Sequence, residues 1–389
     1  MREVKWSTAI PLVGGSAVGC HMATNTLPKY HLSYSAFDKN EQHLLDHWPE
    51  IPRINLDEVK ELPEGRLDFI NSVCPCAGLS LLSTSKSKEV RDKSNKWMFE
   101  TADIVLGDIK PRVYFGENAP GLFTNMGTWV REALIEKAQK HGYSFSLYRT
   151  TTSLHGIPQN RLRTFYFFWD TENPPILNYY NRPRKNLVEY LKEIPENASS
   201  QNEFVRKKPL EESSLAYNFI MNKFDLTHEQ FIQKYDRGSI HSYHTFITEN
   251  GLLDECIDWL ERKYVSSKEI VRLKKIREKI ADGGRFMDGS PAYYYETCNA
   301  LVGRNLTGIT HPKYPRFMSV REVMHLMGLP HDFKFSLDAG ASLNVLAQNV
   351  PACTSRDMTL EVLKFLRNEL EYHDEPFVKQ DNIKQRIVK

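Results

Sequence analysis

The 389-residue chain has no stretch approaching the roughly 20 consecutive apolar residues that a membrane span requires, and its start, Met1-Arg2-Glu3-Val4-Lys5, lacks the apolar core of a secretory leader. A cytoplasmic protein without signal peptide or membrane contact is therefore expected. Charge of one sign is missing too. With 51 Lys and Arg against 49 Asp and Glu the net charge is +2, which neither demands nor excludes nucleic acid, so phosphate contacts must come from local basic clusters. Cysteine is sparse: the six lie at 20, 74, 76, 256, 298 and 353, never as two Cys-x-x-Cys pairs. No metal site and no disulfide framework is expected, although Cys74 with Cys76 also reads as a metal or redox pair. Internal repeats are absent. What is plentiful is apolar side chains, at 41%, enough for a folded core. The length points to about two domains.

The first third alternates short apolar runs with helical patterns, as βαβ units do. Residues 6–13, 32–37, 67–73 and 112–116 read as strands. Trp129, Val130, Ala133, Leu134 and Ala138 carry helical periodicity. Residues 143–149 and 163–169 read as two late strands forming an antiparallel hairpin at the sheet edge. The fold class expected is α/β, a doubly wound, mostly parallel, Rossmann-like sheet with ligands at the strands' carboxyl ends. After Asp170 the composition changes, and Asn173-Pro174-Pro175 and Asn181-Arg182-Pro183 break regular structure. Residues 184–281 read as helical and charged, 283–291 as a loop, and 319–327 as a short helix stopped by Gly328-Leu329-Pro330. The charged residues 374–389 read as loose. This divides the chain into a catalytic domain, 1–175 completed by 341–389, and a smaller, largely helical domain, 176–340.

Three pieces carry chemistry. Cys76, in Cys74-Pro75-Cys76-Ala77-Gly78-Leu79-Ser80, follows a strand-like run, and Glu117-Asn118 ends the next one. A thiolate and a nearby carboxyl can attack and protonate an electron-poor ring. Arg161 and Arg163, in Gln159-Asn160-Arg161-Leu162-Arg163, alternate along a chain entering a strand, so both point one way and can clamp a polar ring edge.

Pro75-Cys76, Glu117-Asn118, Gln159-x-Arg161-x-Arg163 and Arg316-x-x-Ser319-x-Arg321-Glu322, in this order, resemble the motifs of DNA (cytosine-5)-methyltransferases over roughly residues 8–172 and 311–358. The resemblance implies a class I methyltransferase fold with a target-recognition domain. It implies an enzyme that flips a cytosine out of double-stranded DNA, adds the Cys76 thiolate to carbon 6 and transfers a methyl group from S-adenosylmethionine to carbon 5. Glu117 is then the acid at N3 and the exocyclic amine, with Arg161 and Arg163 at the cytosine O2 edge, the catalytic loop and the acid. The donor is implied at Pro11, Leu12, Val13, Gly14, Gly15, Asp38, Asn55, Pro75, Gln348 and Asn349. DNA contacts are implied at Ser80, Ser83, Lys86 and Lys88 of a closing loop, at Gln159, which also supports its turn, and at Arg285 and Arg304. A monomer is expected, from a restriction-modification, solitary or phage context.

The donor half departs from the family pattern. The usual aromatic-x-Gly-x-Gly-Gly turn reads Ile10-Pro11-Leu12-Val13-Gly14-Gly15, Ala36 stands where an acid accepts ribose hydroxyls, and Gly-Asn-x-Val-Pro reads Ala347-Gln348-Asn349-Val350-Pro351. Asp38 is a candidate substitute for the missing acid. A related sulfonium donor, a tRNA-directed relative and a DNA-binding regulator with weak turnover stand as alternatives.

Overall fold

The computed structural model describes residues 3–59, 61–75, 77–79, 88–196, 203–236, 242–264, 266–284, 290–302, 308–335 and 346–388, with backbone alone at 77 and 88–94. In chain order the first lobe begins with β1 (Trp6–Ala9), α1 (Gly15–Thr24), β2 (His31–Ser33), α2 (Asp38–His47), β3 (Arg53–Asn55) and β4 (Phe69–Ser72). It continues with α3 (Lys88–Ile104), β5 (Val113–Asn118), α4 (Thr128–His141), β6 (Ser144–Thr151), β7 (Gln159–Asn160) and β8 (Leu162–Trp169). Seven helices follow: α5 (Leu187–Leu191), α6 (Leu210–Ser213), α7 (Leu215–Phe224), α8 (His228–Tyr235), α9 (Tyr243–Glu249), α10 (Leu253–Lys263) and α11 (Lys268–Ala281). Last come β9 (Cys298–Asn299), α12 (Val320–Leu326), α13 (Ala352–Leu366), β10 (Phe377–Asp381) and β11 (Arg386–Val388). None of the described helices is long and apolar enough to cross a membrane.

The main sheet has nine strands in the order β11-β10-β6-β8-β5-β4-β1-β2-β3. Its pairings are parallel except where β8 runs against β5 and β6, and β11 against β10. The expected doubly wound architecture is thus present, with three corrections. The strand at 32–37 stops at Ser33, and 35–37 turn into a short 3-10 helix. The late hairpin is not at the edge, because β10 pairs with β6 in parallel from Phe377↔Phe145 to Asp381↔Arg149. The charged tail is not loose. Val378 and Gln380 point inward, Asp381 meets Arg149, and Asn382 Nδ2 donates to Thr150 Oγ1 at 3.0 Å. Side-chain hydrogen bonds hide this strand from a reading by hydrophobicity.

Two apolar cores form. The larger spans the sheet and its helices and includes Val323, Met324 and Leu326 of α12; the smaller gathers Leu210 to Tyr293 and Phe317. α12 starts on a capping box in which Ser319 and Glu322 satisfy each other's backbone N–H groups. Helix α13 lies along α1, with Ser16 Oγ and Ser355 Oγ 2.6 Å apart. A Cβ at Gly19 would collide with the Ala352 carbonyl and Ser355, so this glycine serves helix packing.

Candidate active site

β5 carries Glu117 to the carboxyl end of the sheet, opposite Phe165 on the antiparallel β8. Arg163 lies two residues before Phe165 on the same face, and its Nε pairs with the Glu117 carboxylate. Glu117 is 2% exposed. Burial pushes its carboxyl up from the ordinary range, opposed by the charges of Arg163 and then Arg161. A carboxyl so placed keeps its proton to higher pH than an exposed glutamate and is suited to donate it. Arg161, between β7 and β8, is buried, and its Nη1 donates to the Leu301 carbonyl at 2.8 Å. The segment holding Leu301 arrives alongside through β9, which pairs with β7 in parallel. Asn118 braces the turn by accepting the Ala119 N–H at 2.8 Å.

β4 delivers Pro75 to the same end of the sheet; Cys76 itself lies outside the described residues. Its neighbour Cys74 is fully buried beside Ser72 Oγ at 3.2 Å and the Tyr166 hydroxyl at 3.8 Å. Burial pushes the Cys74 thiol up, which makes it an inert core residue. Among the described residues no three metal-ligating groups come together.

On the donor side the Gly turn is built despite its altered sequence. Gly14 caps α1 at φ 105°, and the Gly15 N–H donates to Asn349 Oδ1 at 2.8 Å. Leu12 and Ile10 occupy the left-handed region at φ 51° and 48°, which glycine takes without strain. Pro11, Leu12 and Val13 are buried, whereas Gln348 is exposed. Asn349 is buried, and its Nδ2 has no partner among the described residues. Asp38 and Asn55 meet in a concavity of about 570 Å³ at the carboxyl ends of β2 and β3, also lined by Ser35, Arg53 and Glu58. There Arg53 Nη2 donates to Asp38 Oδ1 at 2.6 Å and Asn55 Nδ2 to Ser35 Oγ at 2.8 Å. A glycine turn at a helix N-terminus, an unsatisfied buried amide and a polar concavity fit an adenosyl donor in chemistry.

Of the residues expected at DNA, Ser80, Ser83, Lys86, Arg285 and Arg304 lie outside the described residues, and Lys88 opens α3. Gln159 is fully buried, and its Nε2 donates to the Leu326 carbonyl at 3.0 Å. That bond ties β7 to α12.

The C-5 cytosine-specific DNA methylase model matches residues 34–354, beginning downstream of the glycine turn. The chain belongs to the C-5 cytosine-specific DNA methylase family. It is 25% identical over 297 residues to the Type II methyltransferase M.BanI of Aneurinibacillus aneurinilyticus, covering 72% of this chain and 67% of that protein. It is 23% identical over 322 residues to M.XorII of Xanthomonas oryzae pv. oryzae, covering 78% and 70%. The fold is shared with a putative DNA modification methyltransferase encoded within an E. coli prophage (TM-score 0.56, 16% identity, 94% of this chain and 100% of that one). It is shared as well with the Entamoeba histolytica methyltransferase EhMeth (TM-score 0.56, 11% identity, 94% and 99%).

This methylase therefore acts on carbon 5 of cytosine in DNA. Two groups beside the candidate site were not shown by the motifs. The Leu301 carbonyl anchors Arg161, and a stack of Tyr34, Phe37 and Trp97, with ring centroids 4.5 and 5.3 Å from Trp97, walls the space between β2 and α3. A backbone carbonyl leaves no mark in sequence. The stack joins residues some 60 positions apart.

Proposed function

We propose that the methylase uses Cys76 as nucleophile, Glu117 as acid and Arg161 and Arg163 as the frame that holds both, on a cytosine turned out of double-stranded DNA. The buried Glu117–Arg163 pair at the end of β5, with Arg161 beside it, is the observation that carries this assignment. Carbon 5 of an aromatic cytosine is a poor nucleophile. A bond from the Cys76 sulfur to carbon 6, with a proton from Glu117 reaching N3, makes an enamine whose carbon 5 is electron-rich. Once carbon 5 carries the methyl group, loss of its proton to solvent, expulsion of the thiolate and return of the N3 proton to Glu117 restore the ring, the acid and the free cysteine. S-adenosylmethionine, when bound, supplies the electrophilic methyl group; Gly14, Gly15, Asn349, Asn55 and Pro75 are the residues that would hold it.

The relatives bear the names of Type II methyltransferases, which supports a modification role for this chain. DNA carrying 5-fluorocytosine at the target tests the mechanism, because fluorine cannot leave carbon 5 as a proton does. With donor present, a protein–DNA adduct that survives denaturing electrophoresis is expected from the wild type and not from Cys76→Ala. Efficient methylation of ordinary DNA with no adduct on the fluorinated one would show the covalent route to be wrong.

A further inference from the structure

The loop after β3 places an unassigned carboxylate, Asp57, beside the end of β2. Ala36, which stands where the family's acid is expected, is exposed on the 35–37 turn, and its methyl side chain offers no polar atom. Asp38 is committed elsewhere: Arg53 holds its Oδ1 at 2.6 Å, and the same guanidinium is fixed to the Tyr34 carbonyl at 3.1 Å and Glu41 Oε2 at 3.2 Å. Asp57 is different. Its Oδ2 accepts the Ser35 N–H at 2.8 Å, its own N–H donates to Asn55 Oδ1 at 3.1 Å, and Asn55 Nδ2 closes the loop on Ser35 Oγ at 2.8 Å. These three bonds fix the Asp57 carboxylate beside the residue preceding Ala36. Its Oδ1 has no partner among the described residues.

On the side of β2 toward α3, the Tyr34 hydroxyl is 3.3 Å from Thr101 Oγ1 and the Tyr34 ring packs on Trp97, which fixes the backbone leading into Ser35. Asp57 is bonded to that backbone through the Ser35 N–H, one residue before Ala36.

We propose that Asp57 is the carboxylate that receives the donor's ribose hydroxyls, a role moved from the end of β2 to the loop after β3. The inference rests on the reading of this chain as a user of an S-adenosyl donor. An ionised acceptor makes the stronger kind of hydrogen bond, so its removal is expected to weaken donor binding by about ten- to a hundredfold.

The test is calorimetric titration of the full-length protein with S-adenosylhomocysteine and with its 2′-deoxy and 3′-deoxy ribose analogues. Wild type should lose about ten- to a hundredfold in affinity when the hydroxyl is removed. Asp57→Asn should bind the parent compound as weakly as wild type binds the deoxy analogue, and lose little more when the hydroxyl is also absent. The asparagine keeps an acceptor for the Ser35 N–H; Asp57→Ser is a second variant with the same property, and a melting curve of each checks the fold. Ala36→Glu places a second carboxylate beside Asp57 and should not tighten binding. Undiminished affinity in Asp57→Asn and Asp57→Ser, or full sensitivity to the missing hydroxyl in them, overturns the proposal, as does a loss confined to Asp38→Asn. Failure of wild type to bind the parent compound at all overturns the donor reading with it, so the two failures are told apart.

Discussion

Glu117→Gln separates the acid from the scaffold. The substitution keeps shape and one carbonyl acceptor toward Arg163 but removes the proton and the charge. Removing a positioned general acid costs about 10²–10⁴ in rate, which is about 3–5 kcal/mol of barrier. The scaffold pays as well, because Arg163 is 14% exposed and loses its counter-charge, keeping its Nη1 bond to the Leu162 carbonyl at 2.7 Å and the amide oxygen of the glutamine. Breaking a buried pair from one side costs about 3–5 kcal/mol, and the retained amide oxygen puts the expected loss toward the lower end. The assay is single-turnover methyl transfer from tritiated donor at saturating DNA, alongside urea unfolding of both proteins. Because burial raises the Glu117 carboxyl, the wild-type rate should fall as pH rises through its titration, and the variant should lack that limb. A variant within threefold of wild type at saturation, or one that keeps the limb, refutes the assignment of Glu117 as the acid.

Other expectations follow from buried groups away from the reaction. Glu41 is 1% exposed, and burial lifts its carboxyl from 4.5 to about 7 against the pull of Ser33 and Arg53. The folded state thus holds this proton where the unfolded chain releases it. Stability should decline between about pH 4.5 and 7 by about 3 kcal/mol and stay level above, a slope that Glu41→Gln should remove in unfolding titrations across that range. Leu12→Gly relieves a left-handed residue, worth about 1–2 kcal/mol, but deletes a side chain only 5% exposed, worth about 2–5 kcal/mol; urea unfolding should show a net loss. Thr8 Oγ1 is buried without a partner among the described residues, so Thr8→Val should leave stability unchanged or raise it by about 1 kcal/mol, and a clear loss would reveal a bridging water.

The placement of the proposed catalytic residues was legible in sequence because sheet register carries it. Once the run before Cys76 and the run before Glu117 read as neighbouring strands, their carboxyl ends fall together, and alternation puts Arg163 on one face of β8. The helix at 319–327 was equally plain, since Ser319 and Glu322 have capping-box spacing. The edges of the sheet were not. β3 has three residues, all half-buried, and shows no apolar run. β10 reads Phe-Val-Lys-Gln-Asp and is held by Gln380 Oε1, which accepts the Leu177 N–H at 3.1 Å, and by Asp381 on Arg149. Such partners lie some 200 positions away, beyond any local pattern. Gln159 was read as support for its turn and as a DNA contact; that its side chain is buried against α12 could not be read, because α12 arrives from the far end of the chain.

The same contrast bears on why the proposed catalytic residues match the family's motifs while the donor side departs from them. Glu117 and Arg163 are fixed by a ladder in which every neighbour is paired. A shift of one residue turns each side chain to the other face, so the geometry admits few substitutes. The ribose end proposed for the donor lies beyond two three-residue strands, on turns joined by side-chain hydrogen bonds among Ser35, Asn55 and Asp57. A hydroxyl needs only an acceptor at hydrogen-bond distance and does not require it from a particular strand. Adjacent turns can therefore exchange that duty, and Ala36 with Asp57 fits such an exchange. Leu12 shows the limit of this freedom. The turn before α1 retains its left-handed φ without the glycine that suits it, because the Gly15 N–H and Asn349 hold the backbone in place.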